Sequence, residues 1–518
     1  MAKPQEKLAD SLDALRQLQD QGVVAIRSAD LSRRHRERLL KSGFLREIIK
    51  GWYVAGSPDD AAGESTAWYA SFWSFCAAYL QERFSAAWCL SPEHSLSLHT
   101  GNYAVPPQLV VRSPKGGNKP TALPYGTSLL DIRAAVPEEK NLEEKDELRL
   151  FSLPAALIAS SPAFFEHDPT DARAALATIR DASEVLDRLL EGGHSKVAGR
   201  LAGAFRNIGR NRIADDIVNT MRAAGYDVRE QDPFRSRINL VLPRREASPY
   251  AGRIRLMWQQ MRGQIIKRFP APPGRPNHTD AYLKHVQEVY VTDAYHSLSI
   301  EGYRVSPALI ERVRGSKWNP DANEQDREHR NTLAARGYWL AFQSVQKSLR
   351  RVLHGENPGV VAEDKHGAWY REMFSPSVTT GLLRPADLAG YRNAPVYIRR
   401  SMHVPPNSAA VRDAMPVFFE MLTQEPEPSV RVVLGHFIFV YIHPYMDGNG
   451  RIGRFLMNVI LAAGGYPWTV VPLERRDAYM AALEEASVRQ NIVPFADFLA
   501  QLVKEGLRGK PAAKVPKG

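Results

Sequence analysis

The sequence predicts a mainly α chain, with strands gathered in the first half. Three observations carry this expectation. Apolar residues recur at helical spacing through most of residues 251–505. Short apolar runs bounded by Gly or Pro, LREIIKGWYV and PPQLVVRSP, lie in the N-terminal half. Between the halves runs Arg229–Tyr250 (REQDPFRSRINLVLPRREASPY), charged and proline-bearing as a linker is. A chain of 518 residues has room for two to four domains, each with its own core.

In chain order, residues 1–60 read as a winged helix. Gln21–Val54 suggests short helices, a helix ending at Gly43, and a hairpin turning near Lys50 and Gly51. Ser32–Leu40 is the candidate recognition helix, and Arg33, Arg34, Arg36 and Arg38 are its candidate contacts with double-stranded DNA. A solvated helix face is the plainer alternative. Residues 61–232 read as a mixed α/β region, with a buried helix at Thr66–Leu80, a strand pair around Pro106–Pro114 and an arginine-studded helical stretch at Ala198–Gly225. Residues 233–250 are the linker, 251–505 a helical domain, and 506–518 a frayed basic tail.

Lys and Arg number 68 against 57 Asp and Glu, a net charge of +11 that favours polyanionic partners such as nucleotides or nucleic acid. Solubilising surface charge explains the same balance. With only Cys76 and Cys89, a disulfide framework and a four-cysteine zinc site are excluded, and both thiols are expected to be buried. The apolar run Thr66–Leu80 falls short of the ~20 residues that a membrane-spanning helix needs. MAKPQEKLAD lacks the apolar core of a signal peptide, so the expected location is cytosolic, with no membrane partner.

The densest chemistry lies in His443–Arg454, HPYMDGNGRIGR. Gly448–Gly453 also satisfies G-x-G-x-x-G, with Glu474 downstream, but a dinucleotide-binding turn needs a strand directly before it. Instead Val430, Val433, Leu434, Phe437, Ile438, Tyr441 and Ile442 form a helical stripe, and Ile452, Phe455, Leu456, Val459 and Ile460 form another. The motif therefore joins two helices. Gly448, Asn449 and Gly450 at the start of the second helix make an anion cradle suited to a polyphosphate. Asp447 at its lip implies Mg²⁺ as a bridge, Arg451 and Arg454 are placed to clamp phosphate oxygens, and His443 is placed to accept a proton from a hydroxyl.

These twelve residues resemble the signature of the Fic family, His-Pro-Phe-x-Asp/Glu-Gly-Asn-Gly/Lys-Arg-x-x-Arg, with Tyr445 in place of phenylalanine. The resemblance implies an all-helical Fic domain with a β-hairpin flap. It also implies transfer of a nucleotide monophosphate, usually AMP from ATP, onto a hydroxyl of an unidentified target protein, the chain itself being one candidate. In that scheme His443 is the general base, Asp447 the Mg²⁺ ligand, Gly448, Asn449 and Gly450 the cradle, and Arg451 and Arg454 the holders of the outer phosphates.

Upstream, SLSIEG (Ser297–Gly302) ends a helical stretch that begins near Asp280. A carboxylate at a helix's negative end is disfavoured unless a cation meets it. The hexapeptide resembles the inhibitory helix of Fic proteins, which implies that Glu301 pairs with Arg454 and keeps ATP in an unproductive pose, with Ser297 positioning the carboxylate. Tyr391–Asn407 resembles the family's flap, with strands Val396–Ile398 and His403–Val404.

The N-terminal half resembles winged-helix antitoxins of the abortive-infection type. The expectation is thus a cytosolic, bacterial, autoinhibited protein adenylyltransferase behind a DNA-binding winged helix. The alternatives are a DNA-binding autoregulator with a nucleotide-sensing Fic domain, or an enzyme removing AMP. A homodimer is compatible with every version.

Overall fold

The computed structural model describes residues 4–58, 63–235, 248–276, 278–315, 330–510 and 513–515. The chain divides into two compact units: Met1–Pro249 with Tyr397–Val404, and Tyr250–Val396 with Pro405–Gly518. The division falls at the end of the expected linker, of which residues 236–247 lie outside the described residues.

The first unit opens with helix α1 (Pro4–Asp20), which gives way to a turn at Gly22, where φ is +79°. Strand β1 (Ile26–Arg27) follows, where further short helices were expected, because Ile26 and Arg27 pair antiparallel with Tyr53 and Trp52. Helix α2 (Arg33–Lys41) is capped by Ser32, whose hydroxyl accepts from the His35 N–H at 3.3 Å. Strands β2 (Leu45–Ile49) and β3 (Trp52–Ala55) then make the expected ribbon around Lys50 and Gly51, in the order β1-β3-β2. Leu15, Ile26, Leu31, Leu39, Leu45 and Tyr53 form the core that holds these elements.

The arginines of α2 do not share one outward face. Arg36 donates to the Ser28 carbonyl at 2.8 Å and Arg38 to the Lys7 carbonyl at 3.1 Å, so both fasten the helix to its neighbours. Arg33 pairs with Glu37 on the surface at 2.7 Å, and Arg34 is exposed.

Helix α3 (Thr66–Phe84) buries Trp68, Phe72, Phe75 and Cys76. After β4 (Cys89–Leu90) and α4 (Pro92–His99), the strand pair foreseen around Pro106–Pro114 is one strand, β5 (Gln108–Ser113), whose partners lie elsewhere in the chain. With β6 (Pro120–Ala122) and β7 (Ser128–Arg133) it completes a sheet ordered β4-β5-β7-β6, in which β5 and β7 run parallel. A hairpin of β8 (Leu142–Lys145) and β9 (Leu148–Phe151) leads into α5 (Leu153–Ala159), α6 (Pro162–His167), α7 (Pro169–Thr178) and α8 (Ser183–Glu191). The stretch foreseen at Ala198–Gly225 is two helices, α9 (Ser195–Asn207) and α10 (Asn211–Ala223), parted at Gly209. Cys76 and Cys89 are buried and free, and burial raises both thiols above their usual range.

The hairpin expected at Tyr391–Asn407 does not form: neither Val396–Ile398 nor His403–Val404 is a strand. The reason lies in where its polar groups go. Within the first unit, Arg399 pairs with Glu64 at 2.7 Å, the Arg400 N–H donates to Thr66 Oγ1 at 3.0 Å, and the Met402 carbonyl accepts from the Val105 N–H at 2.8 Å. In the expected second strand, the His403 N–H that a ladder would use donates instead to Ser401 Oγ at 3.1 Å.

The second unit is helical. It contains α11 (Pro249–Ile266), α12 (Thr279–Ile300), α13 (Pro307–Arg314), α14 (Arg330–Leu353), α15 (Pro358–Thr379), α16 (Ser408–Gln424), α17 (Pro428–Ile442), α18 (Asn449–Ala463), α19 (Arg476–Val488) and α20 (Val493–Leu507). The two apolar stripes flanking the motif are α17 and α18, so the dinucleotide-binding turn is excluded by the helix that precedes it. The tail expected to fray is anchored at one point, since Ala513 packs against the helical core.

The inhibitory helix foreseen at about residues 280–302 is α12. It is tied down by the Tyr338 hydroxyl, which donates to Asp293 at 2.7 Å, and by Arg476, which donates to the Ile300 carbonyl at 2.9 Å. A cation bonded to a helix's last carbonyls complements its dipole.

Gly337 lets α14 and α15 meet backbone to backbone, because a Cβ there would run into the Met373 carbonyl. The same α15 supplies Tyr370, Met373 and Phe374 to the site described below. Gly337→Ala is expected to lower the unfolding free energy of the second unit by about 1–3 kcal/mol through overpacking. Denaturant titration checks this, and an unchanged midpoint contradicts the close approach.

Candidate active site

The turn between α17 and α18 is shaped by proline, glycine and a buried amide. Pro444 cannot donate to continue α17, and His443 caps that helix in the left-handed conformation, with φ 54° and ψ 60°. Gly448, the N-cap of α18, has φ +80°, and a Cβ there would lie 2.9 Å from the Phe374 ring. Asn449 is buried and grips the turn from within. Its Oδ1 accepts from the Tyr445 N–H at 2.9 Å, and its Nδ2 donates to the Tyr445 carbonyl at 2.8 Å. The Asn449 side chain therefore braces the cradle, and the cradle itself is backbone. Tyr445, the departure from the Fic signature, is buried and stacks on Tyr370 with centroids 3.9 Å apart and planes 7° apart.

Arg454 turns back onto α12. Its Nε donates to Ser297 Oγ at 2.9 Å, and one terminal nitrogen donates to the Ser297 carbonyl at 2.9 Å and to Glu301 Oε1 at 2.7 Å. Ser297 thus positions the arginine, where the sequence suggested that it positions the carboxylate. Burial would lower the Arg454 pKa, but Glu301, together with Tyr479 and Tyr338, raises it above its ordinary value and keeps the guanidinium charged. Gly302, in the left-handed region at φ +85°, turns the chain away directly after Glu301.

The Glu301 carboxylate also lies against the start of α18, since a Cβ on Gly450 would collide with Oε1. An anion thus sits where the first N–H groups of the helix lack intrahelical partners.

Arg451 is differently placed. It is 1% exposed and held between the rings of Tyr303 and Phe374, at 5.1 and 5.2 Å from their centroids. It approaches Asp447 Oδ1 at 3.2 Å, yet its buried Nε has no hydrogen-bond partner among the described residues. Asp447 is 61% exposed, and its Oδ1 also accepts from the Gly448 N–H at 2.5 Å. An orphaned guanidinium donor beside an exposed carboxylate suits a phosphate accompanied by a cation. A cavity of about 1000 Å³ opens here, lined by Tyr303, Phe374, Tyr391, Arg412, Asp447 and Arg451 among others.

His443 Nδ1 lies 3.0 Å from the Val440 carbonyl. A carbonyl only accepts, so Nδ1 carries the hydrogen and Nε2 is left as the acceptor. Burial pushes the imidazole down to about 4. The Arg392 charge works in the same direction, while the Val440 bond, Glu301 and Asp447 oppose it. The ring is neutral at neutral pH.

The structure therefore gathers Ser297, Glu301, Gly302, His443, Asp447, Gly448, Asn449, Gly450, Arg451 and Arg454 around one turn. It adds Tyr303 and Phe374, for which no motif in the sequence gave a signal, and Arg392, which lies in the flap-like stretch Tyr391–Asn407 but drew no role there.

Comparison with known proteins agrees with this geometry. Residues 366–461 match the model of the Fic/DOC family. Protein adenylyltransferase Fic of Drosophila grimshawi is 30% identical over 225 residues, which cover 43% of each chain. The protein of the same name from Culex quinquefasciatus is 28% identical over 233 residues, 44% of this chain and 43% of that one. The chain thus spans less than half the length of these curated relatives. A solved structure of Fic-1 from C. elegans aligns over 66% of this chain and 86% of its own, at 17% identity and a TM-score of 0.38. Relatives from insects mean that the resemblance gives no reason to restrict the source to bacteria. Residues 366–461 are a Fic/DOC-family domain.

Proposed function

We propose that the second unit is a Mg²⁺-dependent protein adenylyltransferase that moves AMP from ATP to a hydroxyl side chain of a target protein, and that Glu301 restrains it. The contact of Glu301 with both Arg454 and Gly450 carries this reading, because it sets a carboxylate at the helix start where a phosphate would bind. The adenylyltransferase names of the relatives support the reaction class.

In the proposed reaction, His443 Nε2 takes the proton of the target hydroxyl, and the oxygen attacks the α-phosphorus of ATP. The bond from that phosphorus to the bridging oxygen breaks, and pyrophosphate leaves. The first N–H groups of α18 face the developing charge, and the unused Nε of Arg451 is available to a phosphate oxygen. Arg454 joins them only when Glu301 lets go.

Mg²⁺ is held well by one carboxylate with water and phosphate oxygens completing its shell, and Asp447, whose Oδ2 has no partner among the described residues, fits that role. Bound there, the ion would neutralise phosphate charge.

Glu301→Gly frees Arg454 from a charge-assisted hydrogen bond of about 1.5–3 kcal/mol, so AMP incorporation from labelled ATP is expected to rise roughly tenfold or more. His443→Ala in that background should lower it by about 10²–10⁴-fold. Labelling that responds to neither substitution contradicts the scheme, and release of AMP from a premodified target would assign the reverse direction.

The base must be neutral to work, and its protonation is depressed by burial. The Glu301→Gly rate should therefore hold steady as pH falls through the ordinary histidine range near ~6.5 and drop only further into acid. Removing Glu301, which raises the imidazole, moves the limb lower still. An acid limb at the ordinary histidine value contradicts this environment.

A further inference from the structure

Arg392 is 2% exposed, and it bonds to three separate stretches of the second unit. Its backbone N–H donates to the Pro444 carbonyl at 2.9 Å and its Nε to the His443 carbonyl at 2.8 Å. One terminal nitrogen donates to the Ala394 carbonyl at 3.1 Å, while the other bonds the Pro406 carbonyl and reaches that of Ile442 at 3.5 Å.

The need for such a residue follows from the backbone of His443. A helix end leaves its last carbonyls without intrahelical donors. A residue with a Cβ in the left-handed region costs about 1–2 kcal/mol. Position 443 also precedes a proline, whose ring restricts the preceding residue to extended conformations. The left-handed turn at His443 is thus unfavourable on its own and leaves the carbonyls of Ile442, His443 and Pro444 seeking donors. The backbone N–H of Arg392 serves Pro444, and its planar, forked guanidinium serves Ile442 and His443 from one rigid group, which a lysine ammonium cannot do with the same geometry.

We propose that Arg392 is a positioning residue for the base: it fixes the strained turn at His443 and ties it to the chain on both sides of Tyr397–Val404, so that Nε2 is presented in one geometry. The inference rests on the adenylyltransferase reading for its effect on rate, but not for its effect on the imidazole. Displacing a reacting group by about 1 Å costs on the order of 10²-fold in rate.

The groups that set the His443 proton affinity are the Val440 carbonyl, the Arg392 guanidinium, Glu301 and Asp447, together with burial. Neutralising Arg392 removes one influence that keeps the ring unprotonated. Lysine keeps the charge but loses the fork, so the two substitutions separate positioning from electrostatics.

The test compares Arg392→Gln and Arg392→Lys in the full-length Glu301→Gly chain. Both are expected to lower kcat for AMP transfer by about 10²-fold while the Kd for ATP with Mg²⁺ changes little. The ¹⁵N-histidine NMR titration of His443 should move to higher pH in Arg392→Gln and stay near its parent value in Arg392→Lys. If Arg392→Gln leaves both kcat and the His443 titration as in the parent, the proposal is overturned. Equal losses in kcat and ATP binding with an unmoved titration also overturn it, because they mark general destabilisation. A Glu301→Gly parent without transferase activity defeats the adenylyltransferase reading alone, and the NMR titration still decides the role of Arg392.

Discussion

The contact on which the site depends is the hydrogen-bonded ion pair of Glu301 and Arg454. It joins the C-terminal end of α12 to the N-terminal end of α18, 2.7 Å apart at the charged atoms. Each partner is uncomfortable without the other. Glu301 stands at the negative end of its helix, and Arg454 is buried near the positive end of its own. Removing a charge from water costs several kcal/mol unless an opposite charge and further hydrogen bonds replace the solvent. Ser297 supplies those further bonds, and the missing Cβ of Gly450 leaves room for the carboxylate. The pair is therefore an internal ligand, seated where an external anion would be equally well received.

That arrangement divides the site into a restrained part and a ready part. Arg454 is engaged. Arg451 is held in place by two aromatic rings with a donor still unused, and His443 is already the correct tautomer and neutral. In the proposed scheme, restraint acts on one phosphate position and leaves the base intact, so reversing it needs no rebuilding of the chemistry. Only the loss of one contact is required, which suits a control element whose free energy is a few kcal/mol.

Much of this was legible in the residues because it is local. The apolar periodicity of α17 and α18 identified two helices, and the Gly-Asn-Gly turn between them marked a candidate anion site. Gly302 marked the end of α12. What stayed hidden depends on contacts between residues far apart in sequence. Arg392 lies 51 residues from His443, and nothing in its neighbourhood signals that it grips the turn. Tyr303 and Phe374 enter through packing alone. The arginines of α2 looked like one cationic row, but Arg36 and Arg38 turn inward to carbonyls. The strands expected at Val396–Ile398 and His403–Val404 do not form, and the His403 N–H that a ladder would use goes to Ser401 Oγ.

If Glu301 and the outermost phosphate compete for Arg454, the chain should barely distinguish ATP from ADP while the carboxylate is present. The decisive measurement is the ratio of their Kd values, by calorimetry, for the unaltered chain and for Glu301→Gly. The account predicts a ratio near one in the first and a preference for ATP of roughly tenfold or more in the second, the worth of a charged hydrogen bond. The same ratio in both proteins would contradict it.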